Sequence, residues 1–181
     1  LIGAGCLRDA GGGTLGLGGW GAMLVEEPEG EGFAAALGLE VRAMRSHLGL
    51  AETLRSGAPR DDVSAGDRDT RERFMRAMRA VAAPRAPDTV AALGPPAGAG
   101  RLLDVGGAPG TYALAFAAAG WDVTVLDLPE TLEIGAPDLH AGGVATVAGD
   151  ATAALPDGPW DVVYVGNVIH LLDPARAAAL V

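Results

Sequence analysis

The chain has 181 residues, 49% of them hydrophobic but only 4% aromatic. That is enough apolar material for the core of one or two domains, filled mainly by alanine and valine, which bury little area each. A net charge of −10, with arginine as the only basic residue besides histidine, excludes a basic footprint for nucleic acid or for an anionic membrane surface.

Cys6 stands alone, which excludes an internal disulfide framework and gives no metal-ligand spacing. No basic-then-apolar leader and no apolar run of membrane-spanning length is visible, so the expectation is a soluble cytoplasmic protein. The chain starts without methionine and stops inside a helical pattern, and so reads as part of a longer protein.

Residues 1–30 are glycine-rich, with apolar Leu7, Leu15 and Met23-Leu24-Val25 between the glycine clusters. Turns or wings around a β-hairpin fit better than a phosphate loop, because no strand precedes Gly3-Ala4-Gly5. From 32 to 54, apolar Phe33, Leu37, Val41, Met44 and Leu48 recur every three to four residues, the spacing of an amphipathic helix. Ser56-Gly57-Ala58-Pro59 ends that pattern, and 60–73 is mixed in charge and expected to be solvated. A second amphipathic helix carries Phe74, Met75, Met78, Val81 and Ala82. Pro84, Pro87, Pro95 and Pro96 then mark a linker.

After Arg101 the pattern alternates. Strands are expected at 101–105, 121–127, 144–148 and 160–165, and helices at 111–119, near 129–134 and from 173 onward. Strands alternating with helices imply an α/β fold with a parallel sheet. The resulting division is 1–88, mainly helical, and 89–181, a Rossmann-like sheet. The last strand would leave Val162, Val163, Tyr164 and Val165 on an unpaired apolar edge, so residues 1–181 by themselves are expected to be poorly soluble and inactive.

Three carboxylates fall at strand ends: Asp104 before a glycine bend, Asp127 after the second strand and Asp150 after the third. Ligands of open α/β sheets bind outside those ends, so the three would share one crevice. Any one of them alone reads equally well as a helix cap or turn former; three in register do not. Asp127 lies at the distance from the bend where an acid grips ribose hydroxyls. The bend does not carry the dinucleotide fingerprint, because Ala108 and Thr111, or Pro109 and Tyr112, occupy positions that need glycine. That disfavours a nicotinamide-dependent dehydrogenase.

The order LLDVGGAPGTYALAFA, VTVLDLPE, VAGD and WDVVYVGNVIH resembles the class I S-adenosylmethionine-dependent methyltransferases. More narrowly it is similar to the dimeric O-methyltransferases of the caffeate and polyketide-tailoring type, and RFMRAMRAV resembles their Phe-x-x-x-Met helix. The resemblance implies a truncated winged helix near the N-terminus, a homodimer, S-adenosyl-L-methionine as cofactor and sheet order 3-2-1-4. It implies further that Gly106, Gly107 and Gly110 approach the methionine part, with Asp104 orienting the bend. Asp127 would hold the ribose, Leu128 would lie near the adenine, Asp150 would accept from the adenine amine, and Ala151 would flank the ring. Phe74 and Met78 would line the pocket of a small aromatic or polyketide-like acceptor, and His170 falls where the plant enzymes keep a general base. No metal is implied.

The chain departs from the pattern in three places. Ala108 replaces a third glycine, Gly166 replaces a lysine, and Leu171-Leu172 follows the histidine where Asp-Trp is common. The acid that would orient His170 is expected past Val181. A methyltransferase-like protein that binds cofactor without chemistry is the competing expectation. His47 and His140 are read as surface or helix-end residues.

Overall fold

In a computed structural model of the chain, residues 1–25, 33–57 and 66–180 are described. They form two compact units, Leu1–Val81 and Ala82–Val181. The mixed-charge expectation for 60–73 lies outside the described residues as far as 65.

The first unit begins with an antiparallel hairpin of β1 (Leu7–Gly11) and β2 (Thr14–Leu17), with Leu7 opposite Leu17. Gly12 and Gly13 both have positive φ, 62° and 79°, a conformation that residues with a Cβ avoid and that lets the strands reverse tightly. Helix α1 (Gly19–Val25) follows, then α2 (Phe33–Leu48) and α3 (Leu50–Ser56). The single helix expected over 32–54 is thus two, broken at Gly49. Gly57 closes α3 in the left-handed conformation that glycine C-caps favour, with its N–H bonded to the Thr53 carbonyl. Helix α4 (Arg68–Ala82) carries Asp67 as its N-cap, whose Oδ1 accepts the Thr70 N–H at 2.9 Å.

The second unit opens with α5 (Ala86–Leu93), inside the stretch expected to be a linker. Pro87 occupies its first turn, where the missing N–H leaves no bond unmade, so this proline starts a helix instead of breaking one. The alternating segment follows: β3 (Arg101–Val105), α6 (Thr111–Ala118), β4 (Asp122–Asp127), α7 (Pro129–Ala141), β5 (Ala145–Ala148), β6 (Val162–Val165), a 3-10 turn at Ile169–Leu171 and α8 (Pro174–Leu180). The four strands run parallel in the order β5-β4-β3-β6, the order 3-2-1-4 expected. Helix α7 is longer than anticipated and runs through exposed Pro137.

Both faces of the sheet are covered, which is why β3 buries Leu102 on one side and Leu103 and Val105 on the other. Leu102, Val123 and Val125 pack with Ala113, Phe116, Leu132 and Leu139 on one face, where Val90 of α5 joins them. Leu103, Val105 and Leu126 pack with Leu180 on the other. Strand alternation puts Asp104 on the face of Leu102. No described helix is long and apolar enough to cross a membrane.

Phe116 is 1% exposed and meets the Tyr164 ring edge-on at 5.3 Å. Phe116→Ala should cost about 3–5 kcal/mol in denaturant unfolding; a loss below about 1 kcal/mol would mean that the first cluster is not the core of this unit.

Candidate active site

Strand β3 delivers the chain into a sharp bend at Gly106–Gly110, and α6 starts at Thr111. Gly106 and Gly110 have φ of 69° and 93°, and the Gly110 N–H closes the bend on the Gly107 carbonyl at 2.7 Å. The bend is pinned from β4 as well: the Gly106 N–H reaches the Leu126 carbonyl at 2.8 Å.

Asp127, at the last position of β4, supplies the next tie. Its Oδ2 accepts the Ala108 N–H at 3.0 Å, and its Oδ1 accepts the Leu128 N–H at 2.7 Å. Burial pushes this carboxyl above its ordinary range, while the Leu128 and Ala108 N–H groups and the Thr131 side chain pull it back. A carboxylate offers about four acceptor sites; the two main-chain bonds leave one on each oxygen, and a ligand donor competes with the Thr131 side chain for one of them.

The edge continues to β5, where the Gly149 N–H bonds the Asp127 carbonyl at 2.9 Å and brings the following Asp150 to the same end of the sheet. Asp150 is exposed and sits in a turn in which its Oδ1 accepts both the N–H and the hydroxyl of Thr152, at 2.8 and 2.7 Å. Those Thr152 bonds hold its carboxyl below the usual range. Its Oδ2 takes no hydrogen bond from the described residues. Arg176 donates to the Thr152 hydroxyl at 2.8 Å, steadying the turn from α8.

Asp104 differs from both. It is 2% exposed, in register between Val125 of β4 and Tyr164 of β6, and its Oδ2 has no hydrogen-bond partner among the described residues. A Cβ on Gly107 would come within 2.5 Å of the Asp104 carboxyl, so the bend rests directly on that group. Burial, with the neighbouring Asp127 charge adding, pushes Asp104 up to about 7.

Past β6, Asn167 has a φ of 58°, and the Val168 Cγ2 fills the space that a Cβ on Gly106 would need. A Cβ on Gly110 would strike the Leu139 side chain at 2.5 Å. Packing against Asp104, Val168 and Leu139 therefore already requires glycine at three positions that the sequence marks for ligand approach.

Residues 103–180 match a family model described as a methyltransferase domain. The chain shares the fold of solved methyltransferases. Its whole length superposes on the mitomycin 7-O-methyltransferase MmcR at 24% identity and a TM-score of 0.79, covering 99% of this chain and 57% of that one. Human N-acetylserotonin methyltransferase, solved with S-adenosylmethionine, gives 18% identity, a TM-score of 0.77 and coverage of 99% and 57%. The N,N-8-amino-8-demethyl-D-riboflavin dimethyltransferase RosA from Streptomyces davawensis gives 21%, 0.73, and 99% and 58%. The chain thus spans under two thirds of the length of these structures. No curated protein matches it significantly.

Of the residues marked in the sequence, Asp104, Gly106, Gly107, Gly110, Asp127, Leu128, Asp150 and Ala151 lie within the matched residues 103–180, at the carboxyl ends of β3, β4 and β5 or just beyond. Ala151 packs, half-buried, against the Leu103 and Leu126 side of the sheet. His170 is exposed in the 3-10 turn two residues after Val168, and no described residue hydrogen-bonds its imidazole. Phe74 and Met78 are half-buried on α4, in the first unit. Three contributors went unmarked. Thr152 was within reach, because an Asp followed two residues later by Thr favours a local turn. Val168 and Arg176 carry no local signal, since their roles rest on contacts from distant parts of the chain.

Asp104 makes the stability of the second unit depend on pH. The folded carboxyl takes its proton near 7, against an ordinary value of 3.8. Between those values the folded state binds more protons than the unfolded one, so stability is full below about pH 4 and declines as pH rises through about 7. This group accounts for at most about 4 kcal/mol of that decline. Asp104→Asn should flatten the decline and raise stability at pH 8, read by thermal unfolding from pH 4.5 to 8; a slope equal to the wild type's contradicts this.

Proposed function

We propose that this chain belongs to an S-adenosylmethionine-dependent O-methyltransferase that acts on a hydroxyl of a small aromatic or polyketide-like molecule. One observation carries the reading: Asp127 is hydrogen-bonded to the glycine bend through Ala108, and Asp150 is tied to the same strand ends through Gly149. Acidic acceptors and a tight main-chain bend are thereby concentrated at one edge, with the chemistry a sulfonium nucleoside requires.

In this reading the two oxygens of Asp127 accept the ribose hydroxyls with their remaining lone pairs, and Leu128 lies beside the adenine. Asp150 accepts the adenine amine on Oδ2, and Ala151 flanks the ring. Gly106, Gly107 and Gly110 hold the main chain against the methionine part, with Asp104 beneath. When bound, the cofactor supplies an electrophilic methyl group.

The chain's own task is then to prepare the acceptor. A phenol of pKa about 10 is ionised in roughly one molecule per thousand at pH 7, which costs about 4 kcal/mol. His170 removes the acceptor's proton as attack begins, and Phe74 and Met78 form part of the acceptor wall. Positioning of nucleophile and methyl carbon supplies the rest of the acceleration. We further propose a homodimer, supported by the apolar side chains that α2 and α3 leave exposed, with Met44 63%, Leu48 86% and Leu54 75% accessible.

The unbonded imidazole of His170 favours one alternative, a protein that binds the cofactor without catalysis. Calorimetric titration with S-adenosylmethionine should give binding in the micromolar range, and no heat at millimolar cofactor removes both readings. His170→Ala should then lower kcat on an accepted phenol by about 10²–10⁴. Binding without turnover on any acceptor supports the alternative.

A further inference from the structure

Asp104 poses a question that holding a bend does not answer. A carboxyl this deeply buried normally has all its oxygens bonded, yet Oδ2 has no partner among the described residues. A second carboxyl, Asp127, bonds the residue next to the one resting on Asp104. Among the described residues, none of the groups placed near it is a cation. From β4 and α7 come Asp127 and Glu130, from β6 Tyr164, which is in register with Asp104, and from α6 Tyr112, whose ring lies 5.2 Å from that of Tyr164. The cations of this unit whose contacts are described are engaged elsewhere: Arg101 lies over the Trp160 ring at 4.7 Å, and Arg176 is on Thr152.

Two carboxyls flank one short bend, and no described cation offsets them, so a positive charge brought from outside would find no competitor there. We propose that Asp104 is a charge-selecting residue, which carries a proton in the free protein and releases it when a cationic nucleoside enters, so that the slot prefers a sulfonium over the neutral thioether of the same skeleton. The inference rests on the proposed cofactor and adds to it a reason why the demethylated product leaves.

The balance is simple. The Asp104 carboxylic acid gives its proton to buffer, and the carboxylate left behind faces the ligand's charge through one layer of main chain. A neutral thioether offers no such charge, so Asp104 keeps its proton and the product gains nothing from rising pH. Burial and the Asp127 charge keep the free carboxyl protonated up to about pH 7, which places the exchange in the neutral range. This differs from the role of Asp127, which meets the ligand by hydrogen bonds and does so equally for both forms.

The test measures Kd for S-adenosylmethionine and for S-adenosylhomocysteine between pH 5.5 and 7.5, in the wild-type protein and in Asp104→Asn. In the wild type, the preference for the sulfonium should rise by about tenfold over that interval, one unit of proton linkage. In Asp104→Asn it should change less than twofold. Ionisation of the ligands' own amino groups is common to both proteins and cancels in the comparison. Titrations of both proteins in two buffers of different ionisation enthalpy provide a second readout: proton release with the sulfonium in the wild type that Asp104→Asn lacks supports the inference. Equal pH dependence for the two ligands, or an Asn variant that keeps the wild-type slope, overturns it while leaving the cofactor reading intact. If neither ligand binds, both fall.

Discussion

The carboxylate of Asp127 joins what the sheet alone would leave separate. One oxygen holds the Ala108 N–H of the bend after β3, and the other holds the N–H that opens α7 after β4. Without that bridge the bend would be tied to β4 through the Gly106 N–H but would have no acceptor for its outermost donor. Ala108 is half-buried, so leaving its N–H unbonded costs less than the roughly 1–3 kcal/mol of a fully buried group. With the bridge, the ends of two strands become one surface, and Gly149 extends that surface to a third.

The arrangement concentrates negative charge where the fold offers little to offset it. Asp104 is set into the sheet beneath the bend, and its location follows from alternation: Leu102 and Asp104 share a face, and Leu103 and Val105 take the other. A buried, uncompensated carboxyl destabilises the folded state once ionised. The apolar clusters on both faces of the sheet hold it in place nonetheless, with Leu102, Leu103 and Val105 all wholly inaccessible. A local cost at the ligand edge, held by a well-packed sheet, is the expected pattern for a binding site.

Much of this was legible in the residues. The strand at Arg101–Val105 appears where the apolar run predicts it, because a strand buried on both faces leaves no polar alternation to confuse its limits. The strand-end positions of Asp127 and Asp150 were equally readable, whereas the order of the four strands followed only from the family resemblance. The errors came from prolines and glycines judged without their position in an element. Pro87 marks a linker in the sequence but sits where a helix tolerates proline best. Pro137 lies within α7 on its exposed side, and Gly49 divides what its apolar spacing presents as one helix. The bend was recognised as glycine-requiring, but the sequence suggests only close approach by a ligand. The atoms that already fill those Cβ positions, from Asp104, Val168 and Leu139, come from three separate segments. Contacts of that kind, like Arg176 on Thr152, exist only after the chain has folded and leave no trace in local spacing.

The central claim is that Asp127, Asp150 and the Gly106–Gly110 bend form one nucleoside slot. A crystal structure of the protein grown with S-adenosylhomocysteine tests it most directly. The account predicts both ribose hydroxyls on the Asp127 carboxylate, with its bond to the Ala108 N–H retained, and the adenine amine on Asp150. A nucleoside bound away from these strand ends, or one whose ribose has no contact with Asp127, would contradict it.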